Sequence, residues 1–320
     1  MQNRNVKRRA FLQTAVAAPL VAAAAEPPIP IPIPIPIIDT HIHLFDTTRA
    51  GGVPWPPKDN KVLYQPALPK RLREVIAGHN VVGAIKVEAS PWFTDNQWVL
   101  DLAAKDTILV GTVGNLEPGK PLFASQLETL AKNPLYRGIR YGYLWNRDLR
   151  LEMAKPEFMT DLGRLAKAGL LLDTANQTIR LLEDTLRITD RHPTLRIVID
   201  HLPNIRLKPA ERPIYEKLLG EFVARKQVAV KLSAVLLRQK EADKPSTASL
   251  LDPIYGAFGE DRVLYGSDWP NSDTSGTYAQ GLATVQAYFA SKSRMAQEKF
   301  FWRNSLAVYK WVKRAANQPG

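Results

Sequence analysis

Two histidines one residue apart, His41 and His43, carry the strongest local chemical signal in the chain. They lie in Asp39-Thr40-His41-Ile42-His43, where an apolar run ends. Side chains alternate across a strand, so both imidazoles project to one side. Paired in that way they can chelate one divalent ion, and neutral imidazole suits zinc and its neighbours. The competing reading is a pair of core histidines hydrogen-bonded at a strand end. The chain holds only five histidines, and a third, His201, closes another apolar run, Ile197-Val198-Ile199-Asp200-His201. It could ligate the same ion or polarise a substrate carbonyl. Asp268 ends a further run, Val263-Leu264-Tyr265-Gly266-Ser267-Asp268. A carboxylate there must be hydrogen-bonded or bound to a cation, because burying it bare is costly. It can ligate a metal and take a proton from a water whose pKa the metal lowers toward about 7. Its bland alternative is a cap on the next helix. Glu88, after Ile85-Lys86-Val87, would complete an oxygen-and-nitrogen ligand set or pair with an arginine. Arg140 carries the planar fork that matches a substrate carboxylate. Tyr141, Trp145, Trp92 and Trp269 fall after strands, where aromatic side chains can wall a substrate pocket. His79 and His192 sit in polar connections and are expected in solvent.

Residues so dispersed need a fold that gathers strand ends. Short β-branched or apolar runs occur at 37–42, 81–89, 108–116, 136–143, 169–174, 196–201, 228–234 and 263–267. Their near-continuous apolar character marks strands covered on both faces, as in a parallel sheet. Amphipathic stretches such as 68–78, 98–105, 156–168 and 177–191 lie between them. Eight strand–helix units in one chain fit a single-domain α/β protein closed as a (β/α)8 TIM barrel better than an open doubly wound sheet. No G-x-G-x-x-G follows any strand, which removes the dinucleotide-binding signature. In such a barrel the carboxyl ends of the strands share one mouth, and the mouth carries the chemistry. His41 and His43 close the first strand, Glu88 the second, Arg140 the fourth, Asp173 the fifth, His201 the sixth, Ser233 the seventh and Asp268 the eighth.

An apolar share of 45% is that of an ordinary globular protein, and the absence of cysteine rules out disulfides and thiolate chemistry. The net charge of +12 raises the question of nucleic acid. Four of the basic residues fall within the first nine positions, and the rest form no run or stripe interleaved with aromatics, so nucleic-acid binding is not expected. Residues 1–25 read as an export signal of the twin-arginine type: Arg8-Arg9, then an alanine-rich apolar stretch too short to span a membrane comfortably. Residues 26–36, an alternation of proline and isoleucine, form neither helix nor ladder and serve as an extended linker. The barrel then occupies 37–313 and a tail 314–320. The expected product is a periplasmic protein without a stable membrane anchor.

The segments DTHIHLFD, GIRYG, IVIDHLPN, VAVKLS and YGSDWP, in this order and followed by FFWRNSLAVYKW, resemble the amidohydrolase superfamily. Within it they are similar to the amidohydrolase-2 branch of lactonase-like hydrolases, and the likeness spans residues 37–311. The resemblance implies a barrel with a hydrolytic site in which His41, His43, His201 and Asp268 match the branch's ligands. It implies catalytic roles for Asp268 and His201, and puts Glu88 where some members hold a ligand. The fifth strand has no histidine, and Ile139-Arg140-Tyr141 stands where binuclear members carry a modified lysine. Both departures point to one divalent ion, zinc with manganese as the alternative, or to a metal-free site in which the histidines bind substrate directly. The expected activity is opening of a lactone or related cyclic ester of a small, carboxylated or neutral molecule. The alternatives are a metal-dependent decarboxylase of the same superfamily and a non-catalytic periplasmic ligand-binding barrel.

Overall fold

Eight strands pair in chain order, each parallel to the next: β1 (Ile37–Ile42), β2 (Val81–Val87), β3 (Leu109–Gly114), β4 (Tyr136–Gly142), β5 (Leu171–Ala175), β6 (Ile197–Ile199), β7 (Val228–Leu232) and β8 (Val263–Tyr265). These come from a computed structural model, which describes residues 34–236 and 245–320. The expected signal segment and most of the proline–isoleucine linker lie outside the described residues. The sheet closes just beyond β8. Asp268 N–H donates to the His41 carbonyl at 2.9 Å, and His43 N–H donates to the Trp269 carbonyl at 2.7 Å. Closure therefore falls on the residues expected to carry the chemistry, and it fixes their backbones against one another.

Every strand residue but one is buried, as expected of strands covered on both faces. Inside the barrel Ile38, Ile85, Val87, Val110, Leu171, Val198 and Leu264 pack together, with Tyr309 and Trp311 closing the cluster. Burying each such aliphatic side chain stabilises the fold by about 1.5–3 kcal/mol. The outer helices present one apolar face to the strands. In the helix Pro156–Lys167 a proline starts the first turn, and Phe158, Met159, Leu162 and Leu165 are buried at helical spacing. The helix Ile179–Arg191 is capped by Thr178, whose hydroxyl accepts from Leu181 N–H at 3.1 Å. No helix among the described residues is long and apolar enough to cross a membrane.

Three expectations are corrected. β6 and β8 end earlier than the apolar runs suggest, because His201 (φ 50°) and Asp268 (φ 64°) adopt left-handed conformations that turn the chain off the strand. Residues 314–320 are not a free tail. The Arg314 guanidinium donates to the carbonyls of Asp106 and Leu109, both at 2.9 Å, and buried Gln318 donates to those of Val82 and Thr107, also at 2.9 Å. His79 and His192 are half-buried, the first with its ring 6.2 Å from that of Tyr278.

Candidate active site

The end of β1 brings His41 Nε2 within 3.3 Å of His43 Nε2. The bend after β8 sets Asp268 Oδ1 at 3.2 Å from His43 Nε2 and 3.8 Å from His41 Nε2. The bend after β6 adds His201 Nε2 at 3.5 Å from the same oxygen. All four side chains are buried. Tetrahedral zinc with nitrogen and oxygen ligands at about 2.0–2.2 Å has ligand-to-ligand edges of about 3.3–3.5 Å, close to these separations.

Each ring's other nitrogen is tied down. His43 Nδ1 lies 3.1 Å from the Val87 carbonyl, which can only accept, so Nδ1 carries the hydrogen and Nε2 presents its lone pair to the centre. His201 Nδ1 meets the Ser233 hydroxyl at 2.7 Å. His41 Nδ1 has two neighbours, Lys231 Nζ at 3.1 Å and Asp200 Oδ1 at 3.4 Å. Asp268 Oδ2 accepts from the Asn271 amide at 2.7 Å, whereas Oδ1 is buried with no hydrogen-bond donor among the described residues. Two acceptors, the His43 lone pair and Asp268 Oδ1, thus face each other at 3.2 Å. With the ring neutral, such a pair calls for a proton or a metal cation between its members, and the donor set fits a divalent ion of the zinc type.

The electrostatics agree. Burial pushes the His41 and His201 imidazoles below their ordinary value, so both are neutral, the ligating form, near neutral pH. Burial alone would raise the Asp268 carboxyl, but in acid, where the surrounding imidazoles carry charge, His201, His43 and His41 outweigh it and hold the group below the usual carboxylate range.

A cavity of about 310 Å3 opens over this cluster, lined by His43, His201 and Asp268 together with Trp55, Glu88, Arg140 and Trp145, and by the amides of Asn176, Gln177, Asn204 and Asn271. Arg140 is nearly buried. Its Nε donates to the Thr174 carbonyl at 3.3 Å and is ion-paired with Asp200 Oδ2 at 3.1 Å, and its terminal nitrogens have no protein acceptor among the described residues. Glu88 lines the cavity but stands apart from the ligand groups, which are His41–His43–Asp268 and His41–Asp200–His201. Its Oε1 accepts from Arg147 at 3.0 Å, and Oε2 is buried without a partner. Glu88 is thus ion-paired through Oε1, and the candidate ligand groups do not include it. Of the four aromatic residues singled out, Trp145 lines the cavity, held there at φ 60°. Tyr141 packs on Phe158 and Arg147 behind it, Trp92 is 39% exposed, and Trp269 is sealed in the wall beside Arg71.

Sequence reasoning passed over Trp55, whose ring lies 5.5 Å from that of His43, and nothing in Gly-Gly-Val-Pro-Trp-Pro-Pro marks it. It also passed over Lys231 and Asp200. Fully buried Lys231 donates to Asp173 Oδ2 at 2.6 Å and is ion-paired with Asp200 Oδ1 at 2.9 Å, and Tyr309 donates to Asp173 from below. A lysine inside the apolar run Val-Ala-Val-Lys-Leu was a signal that could have found it.

A closed parallel barrel whose mouth gathers three imidazoles and one carboxylate around a polar cavity is the framework of a hydrolase that activates water. The chain belongs to the amidohydrolase family, whose model (Amidohydro_2, Amidohydrolase) matches residues 38–311, and it is an enzyme of the hydrolase class. It is 27% identical over 250 residues to an L-fucono-1,5-lactonase of Burkholderia ambifaria, a match that covers 75% of this chain and 82% of that protein. Its fold is similar to that of a Burkholderia multivorans amidohydrolase with bound zinc (TM-score 0.76, 23% identity, 86% of this chain and 99% of that one). It is also similar in fold to a manganese-bound 5-carboxyvanillate decarboxylase from Novosphingobium aromaticivorans (TM-score 0.61, 18% identity, 86% and 96%).

Proposed function

We propose that this hydrolase opens the ring of a small lactone, using water activated at a single divalent ion held by His41, His43, His201 and Asp268. The observation that carries the metal is the convergence of three imidazole nitrogens on Asp268 Oδ1, at 3.2–3.8 Å, in a buried cluster. The lactone is supported by the lactonase relative in Burkholderia ambifaria, and zinc or manganese by the ions bound in the two similar structures. When bound, the ion supplies Lewis acidity to the carbonyl and makes a neighbouring water easier to deprotonate.

The chain's own residues do the rest. Asp268 is ionised at neutral pH and anchored through Oδ2 by Asn271, so the lone pair that Oδ1 does not give to the ion would take the proton of the attacking water. Addition of that water to the carbonyl breaks the bond to the ring oxygen, which leaves as a hydroxyl once it receives the proton held by Asp268. The unbonded terminal nitrogens of Arg140 match a carboxylate or paired hydroxyls on the substrate. Trp55 and Trp145 offer flat faces to the ring, and the amides of Asn176 and Gln177 suit hydroxyl groups.

Purification without chelator, elemental analysis and assay of aldonolactones against aromatic carboxylic acids test this reading. The expected result is one zinc or manganese per chain, lost together with lactone opening in His41→Ala. Lactone opening by a metal-free protein would overturn the metal's role. Release of carbon dioxide from an aromatic acid, with lactones untouched, would replace hydrolysis by decarboxylation.

A further inference from the structure

We infer that Lys231 and Asp200 compete for Nδ1 of His41, and that this competition sets how readily His41 becomes a ligand. The inference deepens the metal site proposed above and rests on it for its consequences, though not for its geometry.

An ammonium group has three N–H donors and no acceptor. Lys231, fully buried, is within hydrogen-bond distance of Asp173 Oδ2 at 2.6 Å and His41 Nδ1 at 3.1 Å, and is ion-paired with Asp200 Oδ1 at 2.9 Å. Donation to Nδ1 requires that nitrogen to be bare, so a neutral His41 then carries its hydrogen on Nε2. The hydrogen points at His43 Nε2, 3.3 Å away, which is a lone pair because His43 Nδ1 donates to the Val87 carbonyl. Lys231, His41, His43 and the Val87 carbonyl thus form one chain of hydrogen bonds with no metal in it, which leaves Asp268 Oδ1 unpartnered. In that state His41 Nε2 cannot ligate.

Asp200 makes the opposite demand. Its Oδ1, 3.4 Å from Nδ1, can only accept, so it stabilises the tautomer with hydrogen on Nδ1 and the Nε2 lone pair facing the centre. Passage between the two states moves one proton from Nε2 to Nδ1 and changes no net charge. Lys231 stays an ammonium, keeps both aspartates and gives up its bond to His41. No water compensates that loss at a site without solvent exposure. Lys231 is therefore a positioning residue that holds the centre ready but reluctant, and Asp200 is the one that commits it. Asp200 also carries Arg140 on its other oxygen at 3.1 Å, so the same carboxylate orients the substrate-facing guanidinium.

The test uses full-length protein with nitrogen-15-labelled imidazoles. In metal-free wild type the His41 ring is expected as the Nε2–H tautomer, and Lys231→Met shifts it to Nδ1–H. Zinc titration against a competing chelator should show about tenfold tighter binding in Lys231→Met. Asp200→Asn, which leaves one oxygen for three donors, should weaken binding by about ten- to a hundredfold. Opposite signs from two neighbours of one atom are not the mark of a merely structural role. If Lys231→Met fails to fold, the pair Lys231→Met/Asp173→Asn removes one charge of each sign, keeps Asp200 and is read in the same way. An Nδ1–H ring in metal-free wild type, or zinc affinities that move in the same direction, would overturn the inference. If no variant binds zinc, the proposed metal role fails, and the tautomer shift alone decides this inference.

Discussion

The two ends of the barrel bury polar groups in opposite ways. At the amino ends of the strands, Arg262 donates to the carbonyls of Phe222, Arg225, Val228, Ala257 and Phe258 at 2.9–3.2 Å. Arg314 and Gln318 treat carbonyls around the starts of β2 and β3 likewise, and Gln318 Oε1 accepts from two backbone N–H groups of its own turn. At the mouth, by contrast, Asp268 Oδ1, Glu88 Oε2 and the indole N–H of Trp145 are buried without partners among the described residues. Each such atom costs about 1–3 kcal/mol that a partner would restore. The floor spends its polar groups on the fold. The mouth withholds them from it, and a ligand is what would satisfy them.

That contrast breaks most visibly at Asp268. Asp268→Asn should lower kcat/KM by about 10²–10⁴-fold, the worth of a positioned general base. The metal-free variant should melt close to wild type, because the amide can keep the Asn271 contact and donate to His43 Nε2. Arg262→Ala should behave in reverse. It strands several buried carbonyls and should lower stability by about 3 kcal/mol, with kcat per folded molecule unchanged. Thermal melts beside active-site-normalised assays measure both. A destabilised Asp268→Asn together with an inactive but folded Arg262→Ala would erase the distinction between the ends.

The mouth was the more legible end. Apolar runs announce the strands, and a histidine or aspartate closing one is conspicuous, so His41, His43, His201 and Asp268 could be assembled before any coordinates. The bends that aim them could not be read, since neither His201 nor Asp268 is a residue type that demands a positive φ. Glu88 could not be separated from the ligands, because its partner Arg147 is 59 residues away. For Trp92 and Trp269 the sequence places an indole after a strand without saying whether it faces the cavity, solvent or the wall. The floor was illegible for the same reason: Gln318 reaches Val82 across 236 residues and carries no local pattern.

Acid should separate the two ends by a smaller margin. The guanidinium and amide groups that serve the floor do not titrate between about pH 5 and 7. At the mouth, burial pushes His41 and His201 below the ordinary 6.5. The folded metal-free protein therefore binds fewer protons than the unfolded chain once the pH falls below 6.5, and stability declines with further acid. One such histidine steepens the decline by up to about 1.4 kcal/mol per pH unit. Asp39, pushed up to about 6 by burial, acts in the opposite sense, as does Asp173. Both are common to wild type and His201→Gln, so the difference in slope between those two proteins isolates His201. Denaturant melts of metal-free protein from about pH 5 to 6.5 should give a shallower dependence for His201→Gln, by up to that amount. Arg262→Ala should lower the whole curve and leave its slope alone. Parallel curves for wild type and His201→Gln would show that His201 is not held as a neutral buried imidazole, and the contrast between mouth and floor would then rest on hydrogen bonding alone.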